Sequence, residues 1–342
     1  MTPKTRSRTL AELLEAAVAF RRPLLQSGRT QAFRAFSGAA DGLDGVYVDV
    51  YGPGATLIVY EGRAAIDPER DAAAVLAVLR PLGVRAVYFK PFARDRSKLG
   101  GELPPVVTDP SPAAGERLDE FLVVHELDWK LEVRMYDGLS TGLFLDQREN
   151  RGWVAQWCGH WAKSVGKPAR VLNTFAYTCA FSIAAAKGGA ITMSVDVSPR
   201  YLEWGKRNFA HNGMEKGVAS GDHRFSRMDT FEFFNYARRK QLQFDLIILD
   251  PPSFAAGSKK KGIPPWSAVE DFARLVREAA GLLAPRGAML ASTNTQELCR
   301  PGRLEREISK GLGHDPRGLR LPPLPIDFAR DRDRFAARAF VP

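Results

Sequence analysis

Phe244-Asp-Leu-Ile-Ile-Leu-Asp-Pro-Pro-Ser-Phe254 decides how this chain folds. The run from Phe244 to Leu249 is too short for an ordinary helix and apolar enough for a strand buried on both faces. It breaks at Asp250, and two prolines then hold the backbone in an extended turn and remove two N–H donors. Two upstream stretches break in the same way: Val171-Leu-Asn-Thr-Phe-Ala-Tyr-Thr-Cys-Ala-Phe181 and Ser194-Val-Asp-Val-Ser198. From Ala169 onward strand and helix alternate. Strands are predicted at 170–174, 191–196, just before Asp229, at 244–249, 288–292 and 334–341. Helices open at Ser198-Pro199, after Asp229, and over 267–283 and 304–312. The pattern predicts a Rossmann-like α/β fold: a mostly parallel seven-stranded sheet with helices on both faces. Ligands of such sheets sit outside the carboxyl ends of the strands, so Asn173, Asp196, Asp229 and Asp250 are expected at one crevice.

The first loop carries Asn173, Thr174, Phe175, Ala176, Tyr177, Thr178 and Cys179 where a dinucleotide-binding loop has glycines. A pyrophosphate needs those glycines for close backbone approach; a nucleoside cofactor without phosphate does not. S-adenosylmethionine meets that description. Asp196 is placed for the ribose hydroxyls, with Val197 and Ser198 beside it, and Asp229-Thr230 for the adenine amino group. Gln147, with Arg148, is the candidate for the cofactor's amino-acid end. Each of these acids can equally serve as a helix cap. Cys179 reads as packing rather than as a nucleophile. Asp250, Pro251 and Phe254, joined by Asn294, form the acceptor set: a rigid turn presents the acceptor, and an aromatic ring stacks on a nucleobase.

The 342 residues carry a net charge of +10, which points to a polyanionic partner, RNA above all. Three cysteines without close spacing and five scattered histidines indicate neither disulfides nor a metal, in keeping with a cytoplasmic protein. No stretch approaches the roughly 20 apolar residues of a membrane span. The expected division is an N-terminal helical arm over 1–31, a small α/β domain over 32–118 that contacts RNA, and a catalytic domain over 119–342. The linker is placed in the Pro-, Gly- and Ala-rich 103–116. Basic strips at Arg94 to Lys98, with Lys90, Phe89 and Phe92, at Lys259 to Lys261 and at Arg330 to Arg334 are candidate phosphate contacts. Monomer and homodimer both stay open.

Thr141-Gly-Leu-Phe-Leu-Asp-Gln-Arg148, Leu172-Asn-Thr-Phe-Ala-Tyr-Thr178, Tyr201-Leu-Glu-Trp204 with Asn208 and Asn212-Gly213, and Leu249-Asp-Pro-Pro-Ser-Phe254 resemble the bacterial 23S rRNA methyltransferases of the class I adenosylmethionine-dependent fold. The nearest resemblance is to the guanine-N7 half of the fused large-subunit enzyme, and Asp327-Phe-Ala-Arg330 belongs to it. It spans about Phe121 to Val341. Ala40-Asp41-Gly42-Leu43 with Val48-Asp49 resembles the central domain of the related cytosine-C5 enzymes, whose RNA-binding PUA domain is expected to be missing here. Cytosine C5 requires a thiolate beside the base. In the cytosine enzymes it follows the strand that here ends in Thr293, Asn294 and Thr295, and Cys299 lies farther on. Guanine N7 has an in-plane lone pair and needs mainly alignment, which Asn294 would provide. The resemblance therefore implies guanine-N7 methylation of 23S rRNA. Rival readings are cytosine C5 through Cys299, an exocyclic amine, a small-molecule acceptor, or an RNA-binding protein without catalysis.

Overall fold

A computed structural model describes residues 8–93, 103–257 and 264–342. Its contacts divide the chain into two units. The first comprises Met1–Leu145 with Pro325–Arg330, and the second Asp146–Leu324 with Asp331–Pro342.

In the first unit, helix α1 (Leu10–Phe20) and the short α2 (Arg22–Gln26) precede strands β1 (Ala32–Ser37), β2 (Val46–Tyr51) and β3 (Gly54–Tyr60). Helix α3 (Pro68–Leu79), β4 (Ala86–Phe92) and β5 (Ala114–Gly115) follow. The five strands pair in chain order. The expected N-terminal arm is instead part of this unit's core. Thr9 and Glu12 form a capping box at the start of α1, and Leu10, Leu14 and Ala17 are buried. An apolar helical stripe of that width needs a surface to cover. Strands β6 (Leu122–Glu126) and β7 (Trp129–Val133) form a hairpin, which bridges to Thr30 through Glu126. The contact boundary thus falls after Leu145 rather than at 118/119.

Charge is used structurally here. Buried Arg21 donates to Ala17 O at 2.9 Å and Arg34 O at 2.6 Å, and pairs with Asp41 at 2.6 Å. Arg34 pairs with Asp49 at 2.7 Å and lies between the Tyr47 and Phe328 rings. Asp327 accepts from Arg34 N at 2.9 Å. Arg330 lies 3.6 Å from the Phe20 ring centroid and 3.5 Å from Asp41. Asp41, Asp49, Asp327 and Arg330, all from signature stretches, therefore brace this unit, and Arg330 is not a free phosphate contact.

Lys90 also departs from expectation. It is 1% exposed and donates to Gly138 O at 2.6 Å, so it faces the core rather than an RNA strip. Of the same strip, Phe89 packs against the core and Phe92 against Tyr60, while Arg94 to Lys98, and likewise Lys259 to Lys261, lie outside the described residues. Burial lowers the Lys90 ammonium to about 7. The unfolded chain therefore binds the extra proton between pH 7 and the ordinary lysine range, and stability rises with pH across that window. Lys90→Met is expected to raise the urea midpoint at pH 7 and to flatten the rise that wild type shows between pH 7 and 10.

The second unit opens with α4 (Arg148–Val165). Then come β8 (Arg170–Thr174), α5 (Ala180–Lys187), β9 (Ile191–Asp196), α6 (Pro199–His211), the short α7 (Glu215–Ser220) and β10 (His223–Arg227). Next are α8 (Thr230–Arg239), β11 (Phe244–Leu249), the short pair β12 (Phe254–Ala255) and β13 (Trp266–Ser267), and α9 (Ala268–Ala280). The unit ends with β14 (Leu283–Thr293), α10 (Arg303–Leu312), β15 (Arg317–Leu319) and β16 (Ala336–Val341). Seven strands order as β10-β9-β8-β11-β14-β16-β15. The first five in that order are parallel, and β16 runs antiparallel between β14 and β15. Alternate residues serve the two faces. Leu172, Ile247, Leu249 and Met289 pack with α8, α9 and α10; Val171, Leu246, Ile248 and Leu290 pack with α4 and α5. This is the Rossmann-like fold that the strand–helix alternation predicts. Strand order reverses at β8, so its carboxyl edge and those of β9 and β11 face one switch point. Among the described residues no helix is long and apolar enough to cross a membrane.

Candidate active site

Asp196 ends β9. Its Oδ2 accepts from Tyr177 N at 2.9 Å and its Oδ1 from Ser198 N at 2.8 Å. Burial raises its carboxyl, while these two amides pull it back. The carboxylate is thus fixed by backbone on both sides, and each oxygen keeps a lone pair for a hydroxyl donor. Val197, 48% exposed, lies beside it with an apolar face open to a ring. Ser198 caps α6 by accepting from Tyr201 N. Asp229 caps α8, as the bland reading of that acid allows. Its Oδ1 accepts from Phe231 N at 2.8 Å and Glu232 N at 3.3 Å, which leaves Oδ2 outside the cap. Thr230 is buried behind it.

The loop after β8 offers backbone rather than side chains. Asn173 Nδ2 donates to Ser182 Oγ at 3.0 Å and Thr174 Oγ1 to Ile248 O at 2.7 Å. Asn173, Thr174 and Thr178 are all buried, so these three side chains do not line the crevice. Phe175, Tyr177 and Cys179 have φ of 52°, 50° and 64°, three left-handed residues without a glycine among them. Such conformations cost about 1–3 kcal/mol each and persist only where surroundings enforce them. Here Ala176 N bonds Val195 O at 2.9 Å and Tyr177 N is held by Asp196. The Tyr177 ring packs on Tyr201, with centroids 4.4 Å apart, and Phe175 packs on Trp266 at 5.8 Å. Cys179 is buried against α6, and burial pushes its thiol up to about 12, which fits packing.

At the acceptor end, Asp250 Oδ1 accepts from Ser292 Oγ at 2.7 Å, and Gln147 Nε2 donates to the same hydroxyl at 2.9 Å. Asn150 Nδ2 donates to Gln147 Oε1 at 2.8 Å. Burial raises the Asp250 carboxyl to about 6, with nearby Asp146 adding to the rise; Ser292, Gln147 and Arg151 oppose it. Gln147, 2% exposed, therefore belongs to the scaffold under the Asp-Pro-Pro turn. Trp266 Nε1 donates to Pro252 O at 2.7 Å, so that carbonyl is taken, while Pro251 is buried. Ser253 Oγ donates to Asn294 Oδ1 at 2.9 Å and accepts from Thr295 Oγ1 at 3.0 Å. Asn294 is thereby oriented with its Nδ2 left to donate. Phe254 is 66% exposed beside them.

Register places Val195, Thr174 and Leu249 side by side. Asp196 and Asp250, each one residue further, are two strand spacings apart, about 10 Å. Ser292, Ser253, Thr295 and Asn150 complete the site and were not anticipated. Their signal was position: Ser292 lies on the strand beside Leu249-Asp250. Cys299 Sγ donates to Thr293 O at 3.5 Å, and burial raises its thiol to about 11. Among the described residues no cluster of His, Cys, Asp or Glu is suited to a metal.

Residues 110–311 match the family described as S-adenosylmethionine-dependent methyltransferase. The chain is 37% identical over 287 residues to the Bacillus subtilis (strain 168) protein YwbD, provisionally named a ribosomal RNA large subunit methyltransferase; the match covers 84% of this chain and 66% of YwbD. It is 36% identical over 221 residues to the ribosomal RNA large subunit methyltransferase K/L of Psychromonas ingrahamii, covering 64% of this chain and 27% of that protein. The chain thus spans under two thirds of the length of these relatives. A crystal structure of a provisionally named methyltransferase complexed with SAH superposes with a TM-score of 0.80 at 29% identity, covering 98% of this chain and 83% of that one. A SAM-dependent methyltransferase from Streptococcus mutans superposes at 0.79 and 29%, with coverage of 99% and 82%.

Proposed function

Because the chain belongs to the S-adenosylmethionine-dependent methyltransferase family, we propose that its acceptor is large-subunit ribosomal RNA and that the methyl goes to N7 of a guanine. The RNA part rests on the names of the relatives and on the charge of +10. Bound S-adenosylmethionine supplies an electrophilic methyl on a sulfonium. Asp196 binds the ribose hydroxyls, Val197 packs on the adenine, and Asp229 Oδ2 accepts from the adenine amino group. Backbone of the loop from Phe175 to Thr178 holds the amino-acid end, above the Gln147 scaffold. Phe254 stacks on the guanine, and Asn294 Nδ2 donates to its acceptor edge. Asp250 and Pro251 fix the turn from which both act.

The observation that carries the choice of atom is the absence of an available thiolate. Cys299 is the cysteine expected nearest the acceptor, and it is buried, committed to Thr293 O and raised to about 11. Cytosine C5 cannot be activated by such a thiol at neutral pH. Guanine N7 needs no base, only a lone pair held in line. A second reading, methylation of a guanine amino group, is favoured by the place of Asp250 at the acceptor turn, where burial raises its carboxyl to about 6 and suits it to take a proton.

Mass spectrometry of nucleosides from 23S rRNA incubated with the enzyme separates the readings. The N7 reading expects 7-methylguanosine; N2-methylguanosine or 5-methylcytidine would replace it. Asp250→Asn gives a second test. Under the N7 reading the variant keeps most of its kcat, and neither enzyme shows a kcat rise through pH 6. A rise in wild type that vanishes in the variant would assign proton transfer to Asp250. The stability sign is fixed separately. A raised carboxyl loses stability as pH climbs from its ordinary range through 6, so Asp250→Asn is expected to melt higher than wild type at pH 7.5.

A further inference from the structure

The second unit holds a groove of about 360 Å³ at the opposite edge of the sheet from the site above, lined by Trp157, Trp161, Arg286, Arg317, Leu319 and Val341. From Ala288, on the groove floor, to Asn294 the extended chain spans about 20 Å, so the groove is no part of the acceptor site. Three tryptophans repeat at four-residue intervals on one face of α4. Trp157 and Trp161 stack with centroids 5.1 Å apart and planes at 21°, and Trp153 continues the ladder at 6.5 Å. Arg286 has φ of 67° where the register of β14 against β11 shifts between Phe244 and Leu246. Strand irregularities of this kind re-aim a side chain, and a left-handed arginine is kept only where the surroundings enforce it. Arg286 and Arg317 are exposed. Among the described residues neither makes an ion pair, whereas Arg170, Arg238, Arg274, Arg303 and Arg338 of the same unit do. No acid lines the groove.

Stacked indoles beside two uncompensated guanidiniums form a surface complementary to single-stranded nucleic acid, a π-face for a base and cations for its phosphates. We propose that this groove is a second contact for the RNA, holding an unpaired base against Trp157 and Trp161 with flanking phosphates on Arg286 and Arg317. The proposal rests on RNA being the substrate. It would orient the RNA without reading the target, since stacking tolerates every base.

The test uses an oligouridylate, which has no guanine to offer the methyl-transfer site. Its Kd is measured by fluorescence anisotropy across a salt series, and ultraviolet crosslinks are mapped by peptide mass spectrometry. Wild type is expected to crosslink in α4 or β15. The double variant Arg286→Gln with Arg317→Gln is expected to bind about tenfold more weakly at low salt and to lower the slope of log Kd against log salt by about 1.4, the loss of two phosphate contacts. Both changed side chains are exposed, and unaltered adenosylmethionine binding by calorimetry would show the fold intact. Unchanged affinity and slope, with crosslinks only elsewhere, overturn the proposal. So does a wild-type dimer that becomes monomeric in the variant at unchanged RNA affinity, which gives the groove to a second copy. Crosslinks at Trp157 or Trp161 with no methylation of rRNA would keep the groove and sink the methylation reading; methylated rRNA without those crosslinks would do the reverse.

Discussion

Asp196→Ala should weaken adenosylmethionine binding by two orders of magnitude. Two hydroxyls donating to a charged acceptor are worth about 1.5–3 kcal/mol each, so losing both removes at least about 3 kcal/mol of binding, a factor of about 150. Asp196 also holds Tyr177 N and Ser198 N, so removing it loosens the left-handed loop. Part of the loss would therefore come from disorder of the free protein. Asp196→Asn separates the two contributions. It keeps one oxygen for one amide and one hydroxyl and turns an NH2 toward the other amide, so the loop loses one of its two anchors and the cofactor one of its two contacts. Titration calorimetry reads the affinity and thermal melting reads the loop. Undiminished binding in Asp196→Ala would remove the ribose assignment, and with it the orientation of the cofactor proposed here.

The second large effect is on folding, at Gly205. A methyl carbon there would lie 2.4 Å from Cys179 Sγ and 3.0 Å from Cys179 Cβ. Glycine to alanine within a helix ordinarily stabilises by about 1 kcal/mol. Here the sign should reverse, because Cys179 is buried and too short to swing aside, and overpacking of this kind costs about 1–3 kcal/mol. Cys179→Gly removes the obstructing sulfur and also relieves a left-handed residue with φ of 64°. The double variant Cys179→Gly with Gly205→Ala should therefore recover most of what Gly205→Ala loses. Urea denaturation of the four proteins gives the coupling directly. Additive losses would mean that the α6 contact is not what constrains position 205.

Much of this was legible because strand ends announce themselves. Asp196 and Asp250 each follow a short apolar run, and Asp229 follows the short strand His223–Arg227; sheet topology alone carries such residues to one edge. What stayed hidden depends on where side chains turn. Asn173 and Thr174 sit at the correct strand end, but alternation turns them to opposite faces of the sheet, where Ser182 and the Ile248 carbonyl engage them. Lys90 looked like part of a basic strip because charge is normally solvated, and nothing in its neighbourhood in sequence reveals that Gly138 O meets it in the core. Ser292 and Ser253 carry no motif of their own. Their role comes from register against Leu249-Asp250, which pairing sets and composition does not. The loop with Phe175, Tyr177 and Cys179 shows the converse. The missing glycines pointed to a cofactor without a pyrophosphate, and the family is one that uses S-adenosylmethionine, yet the backbone adopts glycine-like angles anyway, under constraint from its neighbours.

Strand β16 lies between β14 and β15, and the segment holding Asp327 and Phe328 completes the first unit. Domains made by a ribosome ordinarily settle in order of emergence, N-terminal first. That order cannot run to completion here. Arg34 lacks its late partners, and β15 lacks any neighbour, until residues beyond Pro325 have left the exit tunnel. Both halves of the molecule therefore receive their last pieces from the same late stretch of translation.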